Sequence, residues 1–137
     1  GKYRGGCGAI YEIEMLEEET DAFLFGERGK VAPAGVVGGK NGALNIFTYP
    51  NGGGGEVHPP MVSKMIGIHL TEGQRIRLET PGGGGYGNVN ERDPASIAED
   101  VRLGYISPKA ARNDYFCVVD THGILDCAAT QSLREQS

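Results

Sequence analysis

Residues 79–104 read ETPGGGGYGNVNERDPASIAEDVRLG, and the hydrophobic period of the chain changes inside them. Upstream, apolar residues recur at every second position; downstream, they recur at three- and four-residue intervals. Gln74 to Thr80 alternates Ile76 and Leu78 with Arg75, Arg77 and Glu79, as a half-buried strand does. Asp93 then offers a helix N-cap and Pro94 a first helical position. Ile97, Ala98 and Val101 form the inward face, Glu99 and Asp100 fall on the helix surface, and Gly104 is a natural stop.

Between strand and helix lie four consecutive glycines, then Tyr86 and Gly87. Gly82, Gly84 and Gly87 spell G-x-G-x-x-G. A dinucleotide fingerprint needs those glycines to end a strand and open a helix, so that the pyrophosphate meets the helix N-terminus. Here the helix signal starts only at Asp93, and the acidic residue Asp120 comes too late for a ribose contact. A phosphate-binding Walker loop also fails, because Asn41 follows Lys40 and Ala34 stands where the first glycine belongs. A free linker does not fit either, since patterned elements flank the run. What remains is a loop whose backbone takes left-handed or crowded conformations. It is either simply structural, or it presents amides to an anion or a close surface to a partner.

Working outward, Ala9 to Met15 alternates Glu12 and Glu14 with Tyr11, Ile13 and Met15, giving another half-buried strand. EEETD at 17–21 is a solvated turn, Phe23–Phe25 a short strand, and 26–42 an irregular loop broken by Gly and Pro. Leu44–Tyr49 and Ser63–Leu70 are further strands; Ile66, Ile68 and Leu70 share a face with Lys64, and Thr71–Gly73 has hairpin length. A shorter helix over PKAAR, an apolar strand over Tyr115–Val119, and a last helix capped by Asp126 complete the chain. The expected fold is a β-rich α+β domain over residues 1–137, mainly antiparallel strands with two or three short C-terminal helices.

With 13 basic and 18 acidic side chains the net charge is −5, which argues against a nucleic-acid or anionic-membrane surface. No apolar run approaches the ~20 residues of a membrane span, and no secretory signal is visible, so the cytoplasm is the expected location. Cys7, Cys117 and Cys127 show no metal or disulfide spacing and read as packed thiols. His58, His69 and His122 lack ligand spacing; Asp120 and His122 read as a polar turn rather than a chelate. No metal site and no acid/base pair is nominated, and the catalytic residues stay unknown.

Three ordered stretches nonetheless resemble one family. ETPGGGGYGNVNERDPASIAEDVRLGYISPKAARNDY is similar to the C-terminal region of hydantoinase B/oxoprolinase proteins, with their TPGGGGYG, RDP and AAR-x-DY elements. GKYRGGCGAIYEIEML resembles their RGG-x-G strand, and GVVGGKNGALN their GGK-x-G loop. GYGNVN and DYFCVV depart from the commoner forms, as does Asn41, where proline is frequent. The resemblance implies the C-terminal segment of the B component of an ATP-dependent cyclic-amide hydrolase, of the N-methylhydantoinase or 5-oxoprolinase kind. Such enzymes open hydantoins or 5-oxoproline through a phosphorylated intermediate, and this segment would not act alone.

It also implies an A-type ATP-binding companion subunit, the remainder of a B chain, and ATP with a divalent metal in the full complex but not on this chain alone. Related machinery carboxylates acetone or acetophenone, which is the alternative activity; a non-catalytic docking module is the other. On this reading Gly82, Gly83, Gly84, Gly85, Tyr86 and Gly87, together with Lys40, form loops facing substrate or partner.

Overall fold

The structure, a computed structural model, describes residues 1–136. Its strands are β1 (Ile10–Glu14), β2 (Thr20–Phe25), β3 (Ile46–Pro50), β4 (Glu56–Val57), β5 (Lys64–Leu70) and β6 (Arg75–Glu79). Its helices are α1 (Pro94–Arg102), α2 (Pro108–Tyr115) and α3 (Cys127–Arg134). All strand pairing between these elements is antiparallel, and the helices follow the strands, as the change of period predicts. The residues divide into two compact units. One takes Gly1–Gly5, Gly35–Lys40 and Gly85 onward; the other takes Gly6–Ala34 and Asn41–Gly84.

The strand unit holds two sheets, one of order β1-β6-β3-β4 and one pairing β2 with β5. Their inner faces meet in one apolar cluster: Met15, Phe47, Ile68 and Leu70 are buried there, with Leu24, Met65, Ile76 and Leu78 packed around them. The outer face of the larger sheet is charged. Glu14 pairs with Arg75 at 2.7 Å, and Arg77 bridges Glu12 at 2.8 Å and Glu79 at 3.0 Å. These are the polar halves of the alternation in β1 and β6, aligned because Glu12 stands opposite Arg77 and Glu14 opposite Arg75.

Two strand expectations are corrected. β5 and β6 do not form a hairpin with each other: β5 pairs with β2, and β6 lies between β1 and β3. The Thr71–Gln74 turn closes on itself through Gln74 N–H to Thr71 O, while Gly73 N–H donates to Met15 O, so the connection changes sheets. Nor does Ile66 share the inward face. Between Ala22↔Ile68 and Leu24↔Met65, two steps along β2 oppose three along β5. That bulge, with Gly67 at φ +69°, turns Met65 inward and leaves Ile66 outside.

In the helical unit, each helix begins as its sequence dictates. Asp93 accepts from Ala95 N–H, Ser107 from Ala110 N–H and Asp126 from Ala129 N–H. Ile97, Val101, Ala111, Cys117 and Val119 form the core, with Ile106 and Leu125 against it. The strand expected over Tyr115–Val119 is absent. Instead α2 runs on to Tyr115, Phe116 takes a left-handed cap (φ 50°, ψ 46°), and Cys117 N–H returns to Ala111 O at 3.0 Å. Val119 keeps only a single bridge, to Leu125. The apolar run is continuous because it enters a helical core, which periodicity alone does not distinguish from a buried strand.

Candidate functional site

The helical unit contains Lys40, Gly85, Tyr86 and Gly87, and brings them together. Tyr86 lies at the centre of a small extended ladder. Its N–H donates to Tyr3 O and its carbonyl accepts from Tyr3 N–H, both at 2.9 Å. On the other side Val36 N–H donates to Gly85 O at 2.9 Å, and Gly87 N–H to Val36 O at 3.0 Å. Gly85 N–H donates to Lys40 O at 2.9 Å. The backbone therefore binds neighbours on both flanks, and these amides are already occupied.

The crowding around this ladder explains its glycines. A Cβ on Gly39 would overlap the Gly85 carbonyl, which is backbone and has nowhere to retreat. The adjoining turn closes through Gly39 N–H to Val36 O at 3.0 Å, and it holds Val37 at φ 50°. A β-branched residue at positive φ is a true outlier, maintained only by surroundings that determine it.

Side chains project from this platform. Tyr3 and Tyr86 place their ring centroids 6.3 Å apart, and both rings are more than half exposed. Lys40 Nζ lies 2.7 Å from Asp114 Oδ1, an exposed pair. The other members of the predicted loop, Gly82, Gly83 and Gly84, belong to the strand unit, where Gly83 N–H donates to Gly6 O at 2.9 Å.

A third feature of the helical unit lies beneath its surface. Asp100 is buried, contrary to its expected surface position. It accepts from Arg92 at 2.5 Å and from Arg4 at 3.2 Å. Arg92 also donates to Lys2 O at 3.2 Å and lies over the Tyr115 ring, while Arg4 stacks over Tyr105 at 4.4 Å. The signal was present in the spacing: Asp100 stands three residues after Ile97 and so lies beside the inward stripe.

Several of the titratable groups singled out from sequence have structural partners, whereas the thiols expected to be packed are so only at Cys117, with Cys7 and Cys127 exposed. His58 Nδ1 lies 3.0 Å from Phe47 O, and His69 pairs with Asp21. Asp120 Oδ1 accepts from Ile124 N–H and His122 N–H, each at 2.8 Å, and these bonds hold its carboxyl below the usual range. The Cys117 thiol is pushed up by burial, against the opposing hydrogen bond from Thr130. Among the described residues no three His, Cys, Asp or Glu side chains are grouped to hold a metal ion. The ladder amides and Lys40 are thus engaged within the unit rather than free to hold an anion.

Comparison with known proteins gives this arrangement a family. The description of the hydantoinase B/oxoprolinase family matches residues 1–89, and the chain belongs to that family. It is 35% identical to the caprolactamase beta subunit of Pseudomonas jessenii over 98% of this chain and 23% of that one. It is 30% identical to the B-type subunit of the putative D-/L-hydantoinase of Pseudomonas sp. (strain NS671), over 98% of this chain and 22% of that one. The fold matches the crystal structure of the ATP-dependent caprolactamase from Pseudomonas jessenii with a TM-score of 0.72 and 32% identity, covering 98% of this chain and 24% of that chain. The chain thus spans about a quarter of the length of these relatives.

Proposed function

We propose that this chain is the C-terminal segment of the B component of an ATP-dependent cyclic-amide hydrolase, and that it is inactive alone. The supporting observation is the likeness, across almost the whole chain, to subunits whose names specify ring amides: a caprolactamase and a hydantoinase. ATP use is supported by the likeness to the ATP-dependent caprolactamase. In this reading an A-type companion activates the amide oxygen as a phosphate, and the remainder of the B chain brings water to the activated carbon. ATP and a divalent metal sit in that larger assembly, which works in the cytoplasm.

The loops carrying Gly82–Gly87 and Lys40 contribute contact surface rather than chemistry. Since the amides of Gly83, Gly85, Tyr86 and Gly87 are used internally, recognition falls to side chains, chiefly Tyr86 and the Lys40–Asp114 pair. A ladder bonded on both flanks loses little freedom when a partner docks on it.

The test is an assay of the complete assembly for ATP-dependent opening of caprolactam, hydantoin and 5-oxoproline, alongside ATP-dependent carboxylation of acetone and acetophenone. Ring opening with no carboxylation is expected. Bicarbonate-dependent turnover of a ketone would replace the hydrolase reading with the carboxylase one. Tyr86→Ala should weaken companion binding or turnover by about ten-fold, within the range of an aromatic contact residue. Copurification with the companion, together with retained activity of an assembly lacking these loops, would favour a non-catalytic docking module.

A further inference from the structure

The two outer faces of the strand unit differ in kind. The larger sheet shows water a two-signed ladder of Glu12, Glu14, Arg75, Arg77 and Glu79. The β2–β5 sheet shows Phe23, Phe25 and Ile66, exposed at 73%, 71% and 71%. The two phenyl rings stand 5.9 Å apart. Phe25 stands opposite Lys64, which with Glu27, Arg28, Lys30, Val31 and Met61 borders a hollow of about 480 Å³ where Val31 and Met61 are also exposed. Exposed apolar side chains grouped in this way mark an interaction surface more often than an ordinary solvent face.

We propose that this face is covered in the native protein by the part of the same polypeptide lying outside residues 1–137. The proposal rests on the reading of the chain as a segment of a longer B component. One observation selects this occupant over a separate subunit or a second copy: relatives aligned over 98% of this chain are about four times its length, so most of a relative-sized polypeptide remains to pack somewhere. An apolar centre is also characteristic of permanent interfaces, and here the exposed Arg28 and Lys30 stand at its rim beside the Glu27–Lys64 pair at 3.1 Å.

The experiment uses the native polypeptide, purified without its companion subunit. Its mass is measured first: a polypeptide of only 14.5 kDa would remove both the longer-chain reading and this proposal. Hydroxyl-radical footprinting then reads oxidation of Phe23, Phe25 and Met61 peptide by peptide, natively and in urea, over a dilution series and with added companion. The expected result is oxidation at least about ten-fold slower in the native polypeptide than in urea, at every concentration and without companion, because only local opening exposes the face. Protection that appears only with companion assigns the face to that subunit, and protection lost on dilution assigns it to a second copy. Full reactivity throughout makes it a solvent face. Each of these three overturns the proposal while leaving the longer-chain reading intact.

Discussion

At Gly39 one methyl group decides whether the Tyr86 ladder can close. The carbonyl it would strike belongs to Gly85, whose position is fixed by Val36 N–H and by its own bond to Lys40 O. Gly39→Ala should therefore cost about 2–4 kcal/mol, as backbone overlap in a packed site does. In the separate run of four glycines at 52–55, Gly53 meets nothing nearer than the Asn51 side chain at 3.6 Å, so Gly53→Ala should stay within about 0.5 kcal/mol. Denaturant midpoints of the two variants check the contrast, and equal losses would mean that crowding is not what glycine serves here. Asp120 sets a pH dependence at the same scale. Its folded-state pKa is lowered, chiefly by the Ile124 amide, so its stabilisation is present above the unfolded value of about 3.9 and fades as pH falls through the folded one. Asp120→Asn retains an acceptor oxygen but not the titration. Its urea midpoint should fall less steeply than wild type below about pH 4.

Among the elements, those written by short-range chemistry were legible and those set by tertiary choice were not. Asp93-Pro94, Ser107-Pro108 and Asp126 mark three helix starts because capping is a contact between near neighbours. The charged faces of β1 and β6 were equally readable, since alternation fixes which side chains can meet. The change of sheet between β5 and β6 was hidden: a three-residue link suits a hairpin, and only the competition between β2 and β6 for β5 decides otherwise. At the candidate site Lys40 and Tyr86 were visible by residue type, but the occupied amides follow from Tyr3 and Val36, which are distant in sequence. The β5 bulge was hidden as well, although Gly67 marks it in retrospect. Gly67→Val would place a β-branched residue at φ +69°, at a cost of about 1–2 kcal/mol or more. Nothing lies within 4 Å of the added Cβ, so the loss would come from backbone conformation alone. Gly67→Asn, which tolerates positive φ, should recover much of it in the same thermal melt.

On the scale of the whole molecule, the helical unit is assembled from three separated segments, Gly1–Gly5, Gly35–Lys40 and Gly85 onward. Joining them requires contacts between residues far apart in sequence, whose loop-closure entropy must be overcome before the contacts form. The Asp100 carboxylate is one such junction, reached by Arg4 from the first segment and Arg92 from the last. Burying this cluster costs desolvation that mutual attraction offsets only while all partners stay in place. The Arg92 Nε, buried and without a hydrogen-bond partner among the described residues, shows that the compensation is already incomplete. Asp100→Ala strands a buried guanidinium and should cost about 3–5 kcal/mol. Replacing both partners, Arg92→Met with Asp100→Leu, removes the buried pair and leaves Arg4 only partly exposed. The double variant should therefore be more stable than Asp100→Ala alone, since no deeply buried charge is orphaned. Urea denaturation of the three proteins decides the matter. If the double variant proves the weakest, the cluster contributes net attraction to the fold, and its role is cohesive rather than one of mutual neutralisation.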